Sequence, residues 1–151
     1  MSRLGSMTST TSEFSRLVNK YKTASERVEK ICIDGVRAGV TDFVYEAQRI
    51  TPVDTGKLRK GWTGGEELTP SIFSDSIQVR KKGIFGGKTY VARVVNKVEY
   101  AIYVEYGHYM PDKVTYIEPV YMNIRSADYA RVRISKHLKD IFDKEMRGIF
   151  G

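Results

Sequence analysis

The chain has 151 residues, a net charge of +7 and a single cysteine, Cys32. A chain of this length can bury a core large enough for one domain without a disulfide or a structural metal. No apolar run approaches the roughly 20 residues of a membrane-spanning helix, and the first residues lack the apolar centre of a signal peptide. Composition therefore predicts a soluble protein that is made in the cytoplasm and has no membrane partner.

The positive charge is unevenly distributed along the chain. Residues 1–75 carry 11 Lys and Arg against 10 Asp and Glu, whereas residues 76–151 carry 14 against 8. A basic half favours acidic partners, either nucleic acid or an acidic protein surface. Because no long run of like charges occurs, this signal is weak, and an ordinary solvated surface is the commonest explanation of scattered Lys and Arg.

The N-terminal stretch predicts a disordered arm followed by a folded region. Residues 1–9 are small and polar, and they offer nothing to bury. Thr10 and Glu13 then have the hydroxyl and carboxylate spacing of a capping box, which marks the start of a helix. Residues 10–151 are accordingly expected to form one domain.

A long helix is predicted behind this capping box. Apolar residues recur at helical spacing from Phe14 to Ile50, and Pro52 ends the helix because the residue before a proline is pushed out of the helical region. Gly35 and Gly39 leave a kink, or two abutting helices, as an alternative to one unbroken helix.

The middle of the chain predicts strands. Alternating apolar residues around Ile77 and the β-branched stretch Thr89–Val95 predict a hairpin. Alternation over Val98–Tyr106 predicts a second long strand, with a helical turn as the alternative, and Tyr116–Ile124 predicts a last strand. Helical spacing returns over Ile134–Met146. The expected fold class is α+β: an N-terminal helix, an antiparallel sheet with a long projecting hairpin, and a C-terminal helix.

The stretch GIFGGKT at residues 83–89 resembles a phosphate-binding loop. It falls one residue short of the required spacing, and a strand rather than a helix is predicted after Lys88. We interpret it as the tip of the hairpin, shaped by glycines, where exposed apolar side chains mark a contact with another subunit or partner. The residues assigned to this interface are Lys82, Gly83, Ile84, Phe85, Gly86, Gly87 and Lys88.

The remaining polar residues form no recognisable reaction centre. Cys32 has no histidine near it in sequence and is interpreted as a buried structural thiol. His108 and His137 lack the spacing of metal ligands. Glu105 is expected to form a structural ion pair with a basic residue, and Trp62 to anchor the packing. The sequence thus predicts no catalytic residues, no metal, no cofactor and no enzyme activity.

Two segments are more specific: TPVDTGKLR at residues 51–59 and YAIYVEYG at residues 100–107. In the first, Pro52 stops a helix, Gly56 lets the backbone turn or pack closely, and Leu58 points inward. Both segments, in this order, resemble the sequence blocks of the tail-completion or head–tail connector proteins of long-tailed bacteriophages. The residues that carry the resemblance are Thr51, Pro52, Val53, Asp54, Thr55, Gly56, Leu58, Arg59, Tyr100, Ala101, Val104, Glu105 and Gly107.

The resemblance implies a structural virion protein of the tail or neck. Such subunits form a ring, usually a hexamer, at the head-proximal end of the tail tube, where they end tube polymerisation and join the tail to the head. The implied partners are further copies of the chain, the tail-tube protein and the head-completion or connector protein. Because the ring lumen lies on the DNA exit path, the resemblance also implies transient, sequence-independent contact with DNA.

Two other functions compete with this interpretation. A basic nucleic-acid-binding protein would account for the positive second half and the tyrosine-rich strands, although no base-reading motif is present. A nucleotide-dependent enzyme is suggested by GIFGGKT alone and is the weakest of the three hypotheses.

Overall fold

Two long helices and a small antiparallel hairpin dominate the fold. The computed structural model describes residues 4–53, 56–63, 77–82 and 87–150. The elements in chain order are α1 (Leu4–Ile50), α2 (Lys57–Lys60), β1 (Ile77–Lys82), β2 (Gly87–Ala92), α3 (Ala101–Tyr106), β3 (His108–Tyr109), β4 (Tyr116–Ile117) and α4 (Met122–Phe150). The predicted α+β class is confirmed, with helix as the larger part.

The helices α1 and α4 pack against each other in antiparallel fashion. Near one end, the Thr51 hydroxyl that follows α1 lies 3.2 Å from the sulfur of Met122, the first residue of α4. Towards the other end, Lys30 of α1 donates a hydrogen bond of 2.8 Å to Glu145 of α4. Because α1 has 47 residues and α4 has 29, the N-terminal part of α1 extends beyond the end of α4.

The helix α1 is unbroken at Gly35 and Gly39, so the alternative of two abutting helices is wrong. A Cβ atom on Gly35 would overlap the Leu138 side chain, and one on Gly39 would lie 3.0 Å from Cδ1 of Ile134. The two glycines therefore allow α4 to approach α1 closely.

The start of α1 differs from the sequence-based expectation. The helix begins at Leu4, so Thr10 and Glu13 lie inside it and do not form its cap. It also includes residues 4–9, which the composition assigned to a disordered arm. Small polar residues cost a helix only tenths of a kcal/mol each, so their presence does not by itself stop one. The assignment of residues 10–151 to one domain stays a prediction.

The predicted hairpin is confirmed. The strands β1 and β2 pair antiparallel, with Ile77 opposite Ala92 and Lys82 opposite Gly87. The tip that joins them, residues 83–86, lies outside the described residues. A second, two-residue ladder pairs His108 with Ile117.

The second long strand predicted for Val98–Tyr106 is wrong, and its helical alternative is correct. The helix α3 spans Ala101–Tyr106. Its half-buried Ala101 and Val104 and its buried Glu105 follow the i, i+3, i+4 spacing of a helix face, which the alternation of the tyrosines conceals.

The last predicted strand, Tyr116–Ile124, is also wrong beyond its first two residues. The strand β4 ends at Ile117, and α4 begins at Met122, well before the predicted start at Ile134. The buried face of the first turns of α4 consists of Met122 and the small polar Ser126. A serine at a buried position interrupts the apolar spacing, so the helical periodicity of these turns is weak in the sequence.

The hydrophobic core lies near the C-terminal end of α1. The predictions that Leu58 and Trp62 point inward are confirmed, since both are buried. The core cluster consists of Val40, Val44, Ala47, Leu58, Trp62 and Met122. None of the helices in the described ranges is long and apolar enough to span a membrane.

Candidate functional site

The two sequence blocks meet around the first turn of α4. Thr51, from the first block, contacts Met122, and Glu105, from the second, accepts a hydrogen bond from the Asn123 amide. We call the group of Thr51, Trp62, Glu105 and Met122 the junction. It joins segments that are far apart in sequence at the end of the molecule that holds the core.

Thr51 links three elements through one hydroxyl group. The indole N–H of Trp62 donates to the Thr51 hydroxyl at 3.0 Å, and that hydroxyl donates to the Ala47 carbonyl at 2.5 Å. Thr51 and Trp62 are only 3% and 5% exposed. The Trp62 ring also meets Phe43 edge-to-face, with 5.7 Å between ring centroids. Because these buried polar groups are hydrogen-bonded, the junction avoids the cost of an unsatisfied group.

Glu105 caps the N-terminus of α4. Its buried carboxylate accepts hydrogen bonds from the amides of Asn123, at 2.8 Å, and Ile124, at 3.4 Å. The first amides of a helix lack partners within the helix, and a negative charge is favourable there. The expected ion pair with a basic residue is therefore replaced by capping of a helix.

Two glycines of the blocks adopt left-handed backbone conformations. Gly56 has φ 75° and ψ −5°, and a Cβ atom there would have no neighbour within 4 Å. Gly107 has φ 75° and ψ 165°, and a Cβ atom would lie 2.7 Å from the Ile117 carbonyl oxygen. The first glycine is required by conformation alone, and the second by conformation and space together.

The remaining members of the blocks have mixed environments. Pro52 and Val53 are exposed, and Asp54 and Thr55 lie outside the described residues. Arg59 is exposed as expected, but its Nε also donates to the Gln48 carbonyl at 2.8 Å, which ties α2 to α1. In the second block, Tyr100 is exposed.

The predicted interface at the hairpin tip is described only at its base. Gly83, Ile84, Phe85 and Gly86 lie outside the described residues, so their role stays a prediction. Lys88, which was expected to be a loop-tip lysine, instead pairs with Glu29 of α1 at 2.5 Å. This hydrogen bond raises the pKa of Lys88 above its ordinary value. The base of the hairpin is thus attached to α1.

An exposed aromatic surface lies beside the junction. We define the tyrosine surface as Tyr103, Tyr106, Tyr109, Val114 and Tyr116, all of them exposed. The rings of Tyr109 and Tyr116 lie 5.0 Å apart, and Val114 is 82% exposed. Exposed apolar patches of this kind mark sites of protein contact.

The loop that carries Val114 is held in shape by Asp112. Its carboxylate accepts hydrogen bonds from the amides of Val114 and Thr115, each at 2.9 Å, and from the Thr115 hydroxyl at 2.7 Å. These hydrogen bonds hold the pKa of Asp112 below its ordinary value. The loop therefore presents the Val114 side chain from a preorganised turn.

A second exposed apolar surface lies at the opposite end of the molecule. We call residues 12–26 of α1 the overhang, because they lie beyond the contact of Arg27 with Glu145 near the end of α4. Phe14, Leu17, Val18 and Tyr21 of the overhang are all exposed. A stripe with this spacing matches the buried face of a helix that packs against a partner.

The histidines and the cysteine have structural surroundings. His137 shares Asp42 with Arg133, at 2.6 and 3.0 Å, across the α1–α4 contact. His108 lies against Tyr103. Among the side chains that the structure describes, no group of three potential metal ligands is present. Cys32 is half-buried, so the expectation of a buried thiol is met only in part.

The features described above are those of a structural subunit, in which a buried junction fixes two helices and exposed apolar surfaces remain for partners. A family described as "Bacteriophage HK97-gp10, putative tail-component" matches residues 13–107, which include both sequence blocks and end at Gly107. The chain belongs to this HK97 gp10-like family and is a structural component of a bacteriophage tail. No curated protein and no solved structure matches the chain.

The resemblance to phage tail proteins that the two blocks indicated is thus confirmed at the level of the family. The sequence did not reveal the pairing of Thr51 with Trp62 or the capping role of Glu105. Both depend on partners that are distant in sequence, and only the presence of Thr51 and Glu105 inside the two blocks singled them out.

Proposed function

We propose that this tail component is the subunit of a ring at the head-proximal end of the tail. There it ends polymerisation of the tail tube and joins the tail to the head. The observation that supports this proposal best is the presence of different exposed apolar surfaces at the two ends of one rigid helical pair. A closed ring needs two different contact surfaces on every subunit, and a subunit in a neck needs further surfaces for its other neighbours.

The proposed partners follow from this position. Further copies of the chain, six in a full ring, would form the ring itself. The tail-tube protein and the head-completion or connector protein would bind its two faces. The hairpin tip at residues 82–88 and the tyrosine surface are the proposed contact sites for these partners.

Imaging of tails tests the proposed location. A fluorescent or gold label on the chain should mark the head-proximal end of the tail and no other position. Deletion of the chain should leave tails that do not join heads or whose tubes exceed the normal length. A label spread along the tube, or found only at the distal tip, would contradict the proposal.

Contact with DNA is a second proposal, and a specific observation favours it. Basic side chains are exposed along α4 outside its contact with α1, namely Arg125, Lys136, Lys139, Lys144 and Arg147. In a ring they would meet DNA without reading its sequence. Filter binding at increasing salt distinguishes the two roles, since a dedicated DNA-binding protein shows a steep salt dependence and a ring subunit only weak binding.

A further inference from the structure

The overhang carries the side-chain pattern of a helix that binds in a groove. Phe14, Leu17, Val18 and Tyr21 occupy positions i, i+3, i+4 and i+7, and Phe14 and Tyr21 are 68% and 63% exposed. Helices that dock into hydrophobic grooves present apolar anchors at this spacing. The stripe also continues the line of α1 that packs on α4 further along the helix.

The same chain contains an apolar groove that could receive the apolar stripe of the overhang. It lies between α1, β2 and α4 and has a volume of about 510 Å³. Its lining is mostly apolar: small residues such as Gly39, Ala127 and Ala130 alternate with larger ones such as Phe43 and Ile134. The overhang thus offers large apolar side chains, and the groove offers an apolar lining with small residues that leave room for them.

The overhang of a chain cannot reach its own groove. The helix α1 is continuous from Leu4 to Ile50, and the groove lies beside Val36 and Phe43 on the same helix. About 20 residues separate the stripe from the groove, which is on the order of 30 Å along a helix. Any overhang in the groove must belong to another molecule.

We propose that the overhang of one copy of the chain docks in the groove between α1, β2 and α4 of a second copy. The inference deepens the proposed function and rests on it for the assembly in which the copies meet. A contact of overhang to groove is heterologous, so each subunit inserts its overhang into one neighbour and receives the overhang of another in its groove. Repetition of this contact closes a ring or, where two copies exchange overhangs, a dimer.

Disulfide trapping tests the contact directly. Cys32 is the only cysteine of the sequence, so Cys32→Ser gives a background without thiols. In this background, Leu17→Cys and Val18→Cys are each combined with Ala127→Cys and with Ala130→Cys, which allows for the register of the docked helix. A disulfide needs Cα atoms within roughly 7 Å of each other. The matched control combines Arg16→Cys, an exposed residue on the opposite face of α1, with the same groove cysteines.

We expect at least one of the four combinations to form disulfides between copies under mild oxidation, and the Arg16→Cys controls to form far fewer. The measurement is made on concentrated purified protein and on assembled tails, by non-reducing electrophoresis. A ladder of cross-linked copies indicates a ring, and a product limited to dimers indicates exchange of overhangs. Absence of disulfides in both samples, equal yields in the controls, or cross-links only to a different tail protein would overturn the inference.

A second pair of variants measures the strength of the contact. Phe14→Ser with Leu17→Ser should weaken self-association by at least about tenfold, as expected when apolar anchors are removed from an interface. The melting temperature of the monomer should stay near that of the parent chain, because both side chains are exposed. Arg16→Ser with Thr23→Ser, on the opposite face, serves as the control. Unchanged self-association of the first pair would contradict the inference.

The outcome is separable from that of the proposed function. If labelled chains mark the head-proximal end of the tail but no disulfides form, the docking contact is wrong and the ring proposal survives. If disulfides form but the label lies elsewhere, the chain self-associates in another part of the tail.

Discussion

The two ends of α1 have the same apolar periodicity and opposite surroundings. Near its C-terminus, Val44 and Ala47 are fully buried between α4 and the first sequence block, whereas Phe14 and Tyr21 near its N-terminus are exposed. Both segments lie on one helix without a break. Periodicity therefore tells which face of a helix is apolar, and it does not tell whether that face is covered by the same chain.

The difference extends to polar groups. At the junction, Thr51 and Glu105 are buried and fully engaged in hydrogen bonds that fix α4 against α1. In the overhang, the described side chains remain largely exposed to solvent. The junction should therefore control the stability of the monomer, and the overhang should control assembly.

The largest expected effect comes from removal of the central aromatic side chain of the junction. We predict that Trp62→Ala lowers the free energy of unfolding by about 3–5 kcal/mol, because it leaves a large cavity and removes the indole N–H that donates to the Thr51 hydroxyl. Phe14→Ala, at the exposed end, should change it by no more than about 0.5 kcal/mol. Urea denaturation of both variants measures the difference. Similar losses in the two variants would erase the contrast between the ends of α1.

The next effect concerns the two left-handed glycines. We predict that Gly107→Ala destabilises the fold by roughly 1–3 kcal/mol or more, because the new methyl group meets the Ile117 carbonyl oxygen in a backbone conformation that is already unfavourable. Gly56→Ala has the same positive φ but open space around it, so its cost should be smaller. Thermal melts of both variants decide the order. If Gly56→Ala proved the more damaging, local conformation rather than packing at the junction would limit stability.

Much of the fold could be predicted from residue patterns, and the failures have identifiable causes. The long helix, its end before Pro52 and the hairpin follow from periodicity and from proline and glycine chemistry. The helix α3 was obscured because its exposed tyrosines alternate like strand residues. The start of α4 was missed because small and polar residues, such as Ser126, occupy its buried face.

The candidate site was predictable only as a set of residues. The two blocks could be recognised, and of the two roles expected for Gly56, a turn or close packing, its φ of 75° and the open space around it show the turn. Their meeting at α4 could not be predicted, because the contact of Thr51 with Met122 spans most of the chain and has no local signature. The cap formed by Glu105 could not be predicted either, because the Asn123 amide that it accepts from is distant in sequence. The sequence therefore indicated an ion pair for Glu105 instead.

A smaller effect is expected at that cap. We predict that Glu105→Gln lowers the free energy of unfolding by about 1 kcal/mol or more. The amide oxygen still accepts one backbone hydrogen bond, but the NH2 group that replaces the other oxygen cannot accept one, and no negative charge remains at the start of α4. Glu118→Gln, at an exposed position in the segment before α4, is the control and should have almost no effect. Chemical denaturation of both variants measures this. An equal effect in the control would assign the loss to net charge instead of to the cap.

The smallest effect should occur where α4 ends and the overhang begins. Lys30 and Arg27 donate hydrogen bonds to Glu145 and hold the pKa of its carboxyl below the ordinary value. A carboxyl whose pKa is lowered in the folded state binds fewer protons there than in the unfolded chain, so its stabilising contribution is present above the unfolded pKa and is lost as pH falls through the folded pKa. We predict that Glu145→Gln loses this contribution, so that its stability difference from the parent chain shrinks as the pH falls from about 6 to about 3. Urea denaturation across that range, with Asp140→Asn as an exposed control on the same helix, measures the difference. A difference that stayed constant with pH would mean that Glu145 marks the end of the α1–α4 contact without stabilising it through its charge.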